Sequence, residues 1–350
     1  MFVASQRNAG QPTPPWAYFV APAIAVVCLA VTILWGEHYG LGLRDPDGIV
    51  GRRAVLIFLL IGAFWAGDVI PRAVKRDQQR GFASRLVAVA RERWPIRRVV
   101  FVLGSIVAFY VTYLCYRNVK SYLPLARPEL FDTQLADFER SVFGTDPAVL
   151  MHDLLGTGIA AHVLSVVYLL FLTFVPLSVG ATLVWSTDRA SALWWVSVLS
   201  IAWILGAASY FLIPSMGPAF AEPYLFTQLP DTPTGSLQEA LLQTRNTFLA
   251  SPTGSGALQS IAAFASLHIG IVFAGALVAQ LLRAPKALRI GMWVYLALTW
   301  MATLYFGWHY LIDDLAGFVI GFLSVYLGAL LTGWRIERRS PSRAFQVQSA

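Results

Sequence analysis

Charged residues and cysteines are scarce in this sequence. Charged side chains make up 13% of the 350 residues, whereas hydrophobic side chains make up 57%. Soluble domains carry roughly twice that charge, so the composition excludes a string of soluble domains. The two cysteines, Cys28 and Cys115, each lie alone in an apolar stretch, and no disulfide framework is predicted. No repeat, low-complexity tract or linker divides the chain, which favours a single helical membrane domain.

Long apolar stretches are abundant instead. A helix needs about 20 apolar residues to cross the hydrocarbon core of a bilayer, and eight stretches qualify. They cover residues 16–35, 54–70, 99–115, 160–185, 191–212, 261–282, 288–306 and 311–332. The second is short and contains Asp68, and the first lacks a small-residue cleavage site, so we interpret it as a retained span. The sequence predicts an all-α, polytopic bundle of about eight transmembrane helices.

Basic residues indicate the orientation of this bundle. The net charge is +7, and residues 71–98 alone carry nine Lys or Arg. The positive-inside rule places this segment and both termini in the cytoplasm, with 18 of the 26 basic residues inside. The charge follows topology rather than one folded face, so no nucleic-acid partner is predicted. We divide the chain into two N-terminal spans with a basic loop (1–98), a membrane core (99–334) and a basic tail (335–350).

Two loops on the predicted outer side are long enough to hold structure, 116–159 and 213–260. In the first, Phe131, Leu135, Phe138 and Val142 recur at helical spacing, which is typical of an amphipathic helix on a membrane surface. The second is rich in turn-forming residues and is a lid, an ordered cap or a plain surface loop.

All five histidines fall on the predicted outer side. Three of them carry no motif and receive no role: His38, His152 and His162. His268 is expected two turns into the sixth span, just after Ser266, and His309 lies between the seventh and eighth spans. Ionisable groups at membrane depth are costly and usually functional. The two histidines are therefore candidate site residues.

Acidic and basic residues accompany the two histidines. On a helix, His309 and Asp313 would share one face, and a carboxylate beside one imidazole nitrogen makes the other more nucleophilic. Asp314 would point about 100° away and is the weaker candidate. Lys120 and Arg127 lie after the third span, where cationic donors suit a phosphate.

Together these residues resemble a known signature. K-x6-R-P (120–128), S-x-H (266–268) and H-x3-D (309–313) occur in the order of the three motifs of the type-2 phosphatidic acid phosphatase superfamily. NVKSYLP, IPSMGP, IAAFASLH and HYLIDDLAG look most like the inositol phosphorylceramide synthase-like branch. Two positions depart from the phosphatase pattern: Ala265 stands where proline is usual, and Thr303 where arginine is usual.

The resemblance implies a lipid phosphatase or head-group phosphotransferase. His309 would attack phosphorus, Asp313 would support the imidazolium, and His268 would act as acid and then base. Lys120, Arg127 and Ser266 would bind the phosphate, and no cofactor or metal is implied. The partners would be a phosphorylated membrane lipid and either water or an alcohol acceptor.

Two other interpretations remain open at this point. A transporter also places ionisable residues within its membrane region, although it should carry them near the bilayer midplane. Alternatively, the two histidines could be metal ligands, with Asp313 or Asp314 as the only nearby carboxylates.

Overall fold

A computed structural model describes residues 2–4, 13–45, 54–76, 81–186, 188–334 and 336–338. Its α-helices in chain order are α1 (Ala17–His38), α2 (Ala54–Lys75), α3 (Phe82–Arg93), α4 (Ile96–Ala126), α5 (Asp132–Phe143), α6 (Pro147–Leu155), α7 (Ile159–Trp185), α8 (Arg189–Leu212), α9 (Pro218–Ala221), α10 (Pro233–Ala250), α11 (Leu267–Leu281), α12 (Lys286–Tyr305) and α13 (Leu311–Thr332). A 3-10 turn covers Pro223–Phe226, and β1 (Phe2–Ala4) pairs antiparallel with β2 (Ile336–Arg338).

The predicted helical membrane bundle is confirmed. Within the described chain, six helices are long and apolar enough to span a membrane: α1, α4, α7, α8, α12 and α13. The predicted second span is the first part of α2, which is not among these six, so the number eight stays a prediction.

The predicted sixth span, 261–282, begins too early. Helix α11 starts only at Leu267 and has 15 residues. The six residues before it are not helical, and several of their backbone groups form hydrogen bonds with distant residues. For example, Ala263 N–H donates to the Ser215 carbonyl at 2.9 Å, and Ala265 N–H donates to Ser209 Oγ at 2.9 Å. Apolar composition cannot distinguish such a buried extended segment from a helix.

Helix α8 forms the centre of the bundle. It is buried along most of its length, and its Trp194 indole N–H donates to the Val325 carbonyl of α13 at 3.1 Å. Helices α11 and α13 approach so closely that a Cβ atom on Gly321 would lie 2.4 Å from the Gly270 carbonyl oxygen. Small residues let two membrane helices pack backbone to backbone in this way.

The end of the bundle that holds His268 and His309, the histidine end, is covered by the two long loops. Helix α5 confirms the predicted amphipathic helix of the first loop. Its apolar side chains Phe138 and Val142 are exposed, whereas Asp132 and Glu139 are buried. Asp132 and Glu139 therefore point into the protein, whereas Asp137, Phe138 and Val142 face outward.

The second long loop is not a plain surface loop, because it contains α9, the 3-10 turn and the 18-residue helix α10. Arg44, which follows α1, anchors the end of this loop by donating to the carbonyl of Ala257 at 2.5 Å and that of Pro252 at 2.6 Å. The loop is thus an ordered cap over the histidine end.

At the opposite end of the bundle, the structure shows why the predicted second span can contain the acid Asp68. It is fully buried and accepts hydrogen bonds from Arg72 at 2.5 Å, Arg93 at 3.0 Å and the indole of Trp94 at 3.0 Å. A buried carboxylate needs such partners. Asp68 therefore fastens α2 to the end of α3 and to its C-cap residue Trp94.

Candidate active site

His309 is held by a backbone carbonyl. It lies in the turn between α12 and α13, and its Nδ1 is 3.0 Å from the carbonyl oxygen of Ala263 in the extended segment. A carbonyl can only accept, so Nδ1 carries the hydrogen and Nε2 of the neutral ring keeps its lone pair. Burial lowers the pKa of His309 to about 4, while Asp314 raises it and Lys120 lowers it further. At neutral pH the imidazole is uncharged and Nε2 is available as a nucleophile.

His268 faces His309 from α11. The expectation that it lies two turns into a span is wrong, because it is the second residue of α11, two positions after the N-cap residue Ser266. Its ring centroid is 5.9 Å from that of His309, at an interplanar angle of 56°. The ring stacks on Tyr168 at 4.5 Å and contacts Phe171 at 4.2 Å. These two aromatic rings of α7 fix the orientation of His268.

Asp313 lies beside His309, as predicted, but the two residues do not belong to the same helix. The pair does not share a helix face, because α13 begins only at Leu311, after His309. Asp313 Oδ2 lies 3.7 Å from His309 Nδ1 and accepts a hydrogen bond from Tyr310 N–H at 2.9 Å. Asp313 thus caps α13 and places a carboxylate beside the imidazole, while Ala263 makes the direct hydrogen bond.

Asp314 reaches the site as well, although helical geometry made it the weaker candidate. It is fully buried, and its Oδ2 accepts a hydrogen bond from Thr303 Oγ1 at 2.9 Å. Ser266 is another neighbour of its carboxylate, and the charge of Asp314 acts on His309. Thr303, which stands where the phosphatase pattern usually has arginine, is therefore the partner of an acid.

Lys120 supplies positive charge at the histidine end. It is buried near the end of α4, and its ammonium lies 4.7 Å from the Tyr210 ring centroid and 5.8 Å from that of Tyr116. In the part of the chain that is described, this ammonium has no ion pair. Its charge reaches both His268 and His309. A cation stacked on aromatic rings remains able to bind an anion.

Arg127, the second predicted phosphate ligand, is directed elsewhere. It is the C-cap residue of α4, and its side chain is 40% exposed. Nη1 donates to the Phe211 carbonyl at 2.7 Å, and Nε donates to Glu129 at 3.3 Å. The structure therefore brings together five of the six predicted site residues and leaves Arg127 at the surface.

Two acidic residues of α5 support the site, and sequence reasoning missed both. Asp132 accepts hydrogen bonds from Met216 N–H at 2.9 Å, Gly217 N–H at 2.9 Å and the Tyr310 hydroxyl at 3.2 Å. Glu139 accepts from Leu311 N–H in the first turn of α13, and burial raises the pKa of Glu139 to about 7. In the sequence, both acids look like the solvated face of an amphipathic helix.

The three histidines without a predicted role stay outside this cluster. His152 is buried in α6, where its Nε2 is 2.8 Å from the Tyr305 carbonyl, and His38 and His162 are exposed. Among the residues that the structure describes, no group of three or more His, Cys, Asp or Glu side chains is placed to hold a metal ion.

Fold and site together define a multi-pass helical membrane protein with two facing histidines, two acids and a buried cation at one end. Comparison with protein families gives a match to the PAP2 superfamily over residues 133–327. The match covers more than half of the chain, so this protein belongs to the PAP2 superfamily. The matched region includes His268, His309 and Asp313 and begins after Lys120 and Arg127. No curated protein and no solved structure matches the chain.

Proposed function

We propose that the protein is an integral membrane lipid phosphatase or head-group phosphotransferase that works through a phosphohistidine on His309. One observation carries the proposal: the 3.0 Å contact between His309 Nδ1 and the Ala263 carbonyl leaves Nε2 free. A second imidazole, that of His268, lies opposite at a centroid distance of 5.9 Å. This pairing of a nucleophile with a proton carrier is what displacement at phosphorus requires.

The proposed reaction has two steps. First, Nε2 of His309 bonds to phosphorus while the bond from phosphorus to the leaving oxygen breaks, and protonated His268 gives its proton to that oxygen. Second, His268 takes a proton from water or an alcohol, whose oxygen bonds to phosphorus as the bond to His309 breaks. The negative charge of a bound phosphate favours the protonated form of His268. The scheme uses no metal ion.

Four other residues support the charges that develop. Asp313 and Asp314 stabilise the positive charge that His309 carries as a phosphohistidine. Lys120 and Ser266 bind phosphate oxygens, whose negative charge is stabilised best by donors already in place. Lys120 suits this role because it is buried, close enough for its charge to act on His309, and held against aromatic rings.

The position of the site at the end of the membrane helices indicates the substrate class. A phosphate site at the end of a bundle of membrane helices favours a lipid with its phosphate at the bilayer surface. The distribution of basic residues favours the extracytoplasmic face for this end. The resemblance to the inositol phosphorylceramide synthase-like branch favours transfer of a phosphorylated head group to an alcohol.

The test is to incubate the purified protein with radiolabelled phospholipids, with and without alcohol acceptors, and to identify the labelled product. His309→Ala should abolish phosphoenzyme and product, a loss of several orders of magnitude, because the groups act as a unit. His268→Ala should regain phosphoenzyme formation with a phenolate leaving group, which needs little protonation. His162→Ala, an exposed histidine of α7, is the matched control. Normal turnover by His309→Ala would refute the proposal.

A further inference from the structure

A buried arginine of the second loop forms no ion pair with any residue that the structure describes. Arg245 belongs to α10, and only 8% of its surface is exposed. Its one hydrogen bond among the described residues runs from Nη1 to Gln259 Oε1, at 3.3 Å. Burial lowers the pKa of Arg245, and the charge of Asp132 raises it. A guanidinium has five N–H donors, so one long bond to a neutral amide leaves most of them without a protein acceptor.

The position of Arg245 connects it to the site. Gln259, its partner, donates from Nε2 to the Lys120 carbonyl at 2.7 Å and accepts from Ile261 N–H at 2.9 Å. Gln259 thus joins the end of α4 to the extended segment that carries Ala263, the acceptor for His309. Asp132, whose charge acts on Arg245, contacts the hydroxyl of Tyr310, the residue after His309. Arg245 therefore adjoins the segments that position both Lys120 and His309.

The charge balance of the site calls for a second cation. A lipid phosphate carries one or two negative charges, and Asp313 and Asp314 add carboxylates close to His309. Lys120 opposes them from α4. Arg117, one turn earlier, donates to the hydroxyl groups of Tyr113 and Ser260, and Arg127 is turned toward Glu129 and the Phe211 carbonyl. A buried cation that forms no ion pair is costly for the fold. The charge of Asp132 reaches Arg245 without an ion pair among the described residues, so Arg245 is best explained by an anion that it binds. A structural role in holding Gln259 would need only an uncharged donor.

We propose that Arg245 binds the phosphate of the lipid substrate together with Lys120. This inference rests on the proposed function and extends it, because it makes α10 part of the phosphate site. A guanidinium can hold two phosphate oxygens at once, whereas an ammonium acts as a point charge. The ordered loop cap then contributes directly to substrate binding.

The first experiment measures anion binding without turnover. Orthovanadate is titrated into the purified full-length protein in detergent, and its Kd is measured for wild type, Arg245→Gln, Arg245→Lys and Gln243→Ala. The last is an exposed residue of the same helix and serves as the control. We expect the Kd to rise about 10- to 100-fold for Arg245→Gln, the usual effect of losing hydrogen bonds to a charged group, and about three- to tenfold for Arg245→Lys. Gln243→Ala should bind as wild type does.

A folded Arg245→Gln protein with a Kd within twofold of wild type overturns the inference. If Arg245→Gln does not fold, Arg245→Lys decides in its place, and an unchanged Kd again overturns the inference. If the role of Arg245 were purely structural, both substitutions would lower thermal stability, and the Kd for vanadate would not differ between Arg245→Gln and Arg245→Lys.

The second experiment separates this inference from the proposed function. Arg245→Ala should turn over lipid substrate with a raised KM, and millimolar guanidinium should restore turnover where sodium at the same concentration does not. Absence of rescue in a folded Arg245→Ala protein counts against phosphate binding by Arg245. If wild type itself releases no product from any lipid phosphate, the proposed function fails, and the vanadate titration still decides whether Arg245 binds an anion.

Discussion

Replacing Gly321 by alanine should separate the two helices that position the histidines. The new Cβ atom would lie 2.4 Å from the Gly270 carbonyl oxygen, whereas ordinary contact begins at 3.4 Å. The obstacle is backbone, so α11 and α13 must move apart by about 1 Å at this crossing. Helix α11 carries His268, and α13 begins two residues after His309. A misplacement of about 1 Å in reacting groups costs roughly 100-fold in rate, which is the fall in kcat/KM that we expect.

The assay is product release by detergent-purified protein from the lipid that the radiolabelled panel identifies as substrate, together with thermal melting of each variant. Gly291→Ala, in α12, is the matched control, because a Cβ atom there meets nothing within 4 Å. It should keep wild-type activity and gain slightly in stability, since alanine favours a helix by about 1 kcal/mol over glycine. The reasoning is refuted if folded Gly321→Ala retains kcat/KM within threefold of wild type.

Three further predictions concern charge and topology. Asp314→Asn should lower kcat about tenfold and move the acid limb of the pH profile to lower pH, because Asp314 raises the pKa of His309; an unchanged profile would contradict this role. The pKa of Glu139 is raised to about 7 from an ordinary 4.5, so the native state loses stability as pH rises through this window. Glu139→Gln should remove that loss, seen as a melting temperature that no longer falls between pH 5 and pH 8, while wild type falls. A reporter fused after Asp146 should score extracytoplasmic, and a cytoplasmic signal would invert the proposed orientation.

The three motifs could be found from the sequence because each is local. Ser266 and His268 are two residues apart, and His309 and Asp313 four apart, so their grouping needs no knowledge of the fold. Their environment could not be found in the same way. The acceptor for His309 Nδ1 lies 46 positions away at Ala263, and the residue that accepts from Leu311 N–H lies 172 positions away at Glu139.

Arg127 and Arg245 also show that the surroundings of a side chain could not be predicted from sequence spacing. Arg127 fits a motif by spacing, yet the end of α4 turns it toward the Phe211 carbonyl and the surface. Arg245 fits no motif and lies in a loop rich in turn-forming residues, yet α10 buries it beside Gln259. Spacing in a sequence records which side chains are close along the chain, and the direction of a long side chain depends on what packs around it.

The sequence by itself determined that the chain is a bundle of membrane helices, and it predicted that the histidines lie on one side of the membrane. Both conclusions depend on hydropathy, which is summed over about 20 neighbouring residues and needs no tertiary contact. Only the tertiary structure decided where α11 begins, which nitrogen of His309 is free and which cations lie inside. These features depend on hydrogen bonds and burial between distant segments, and a buried polar group takes whichever partner the packing of helices brings within reach.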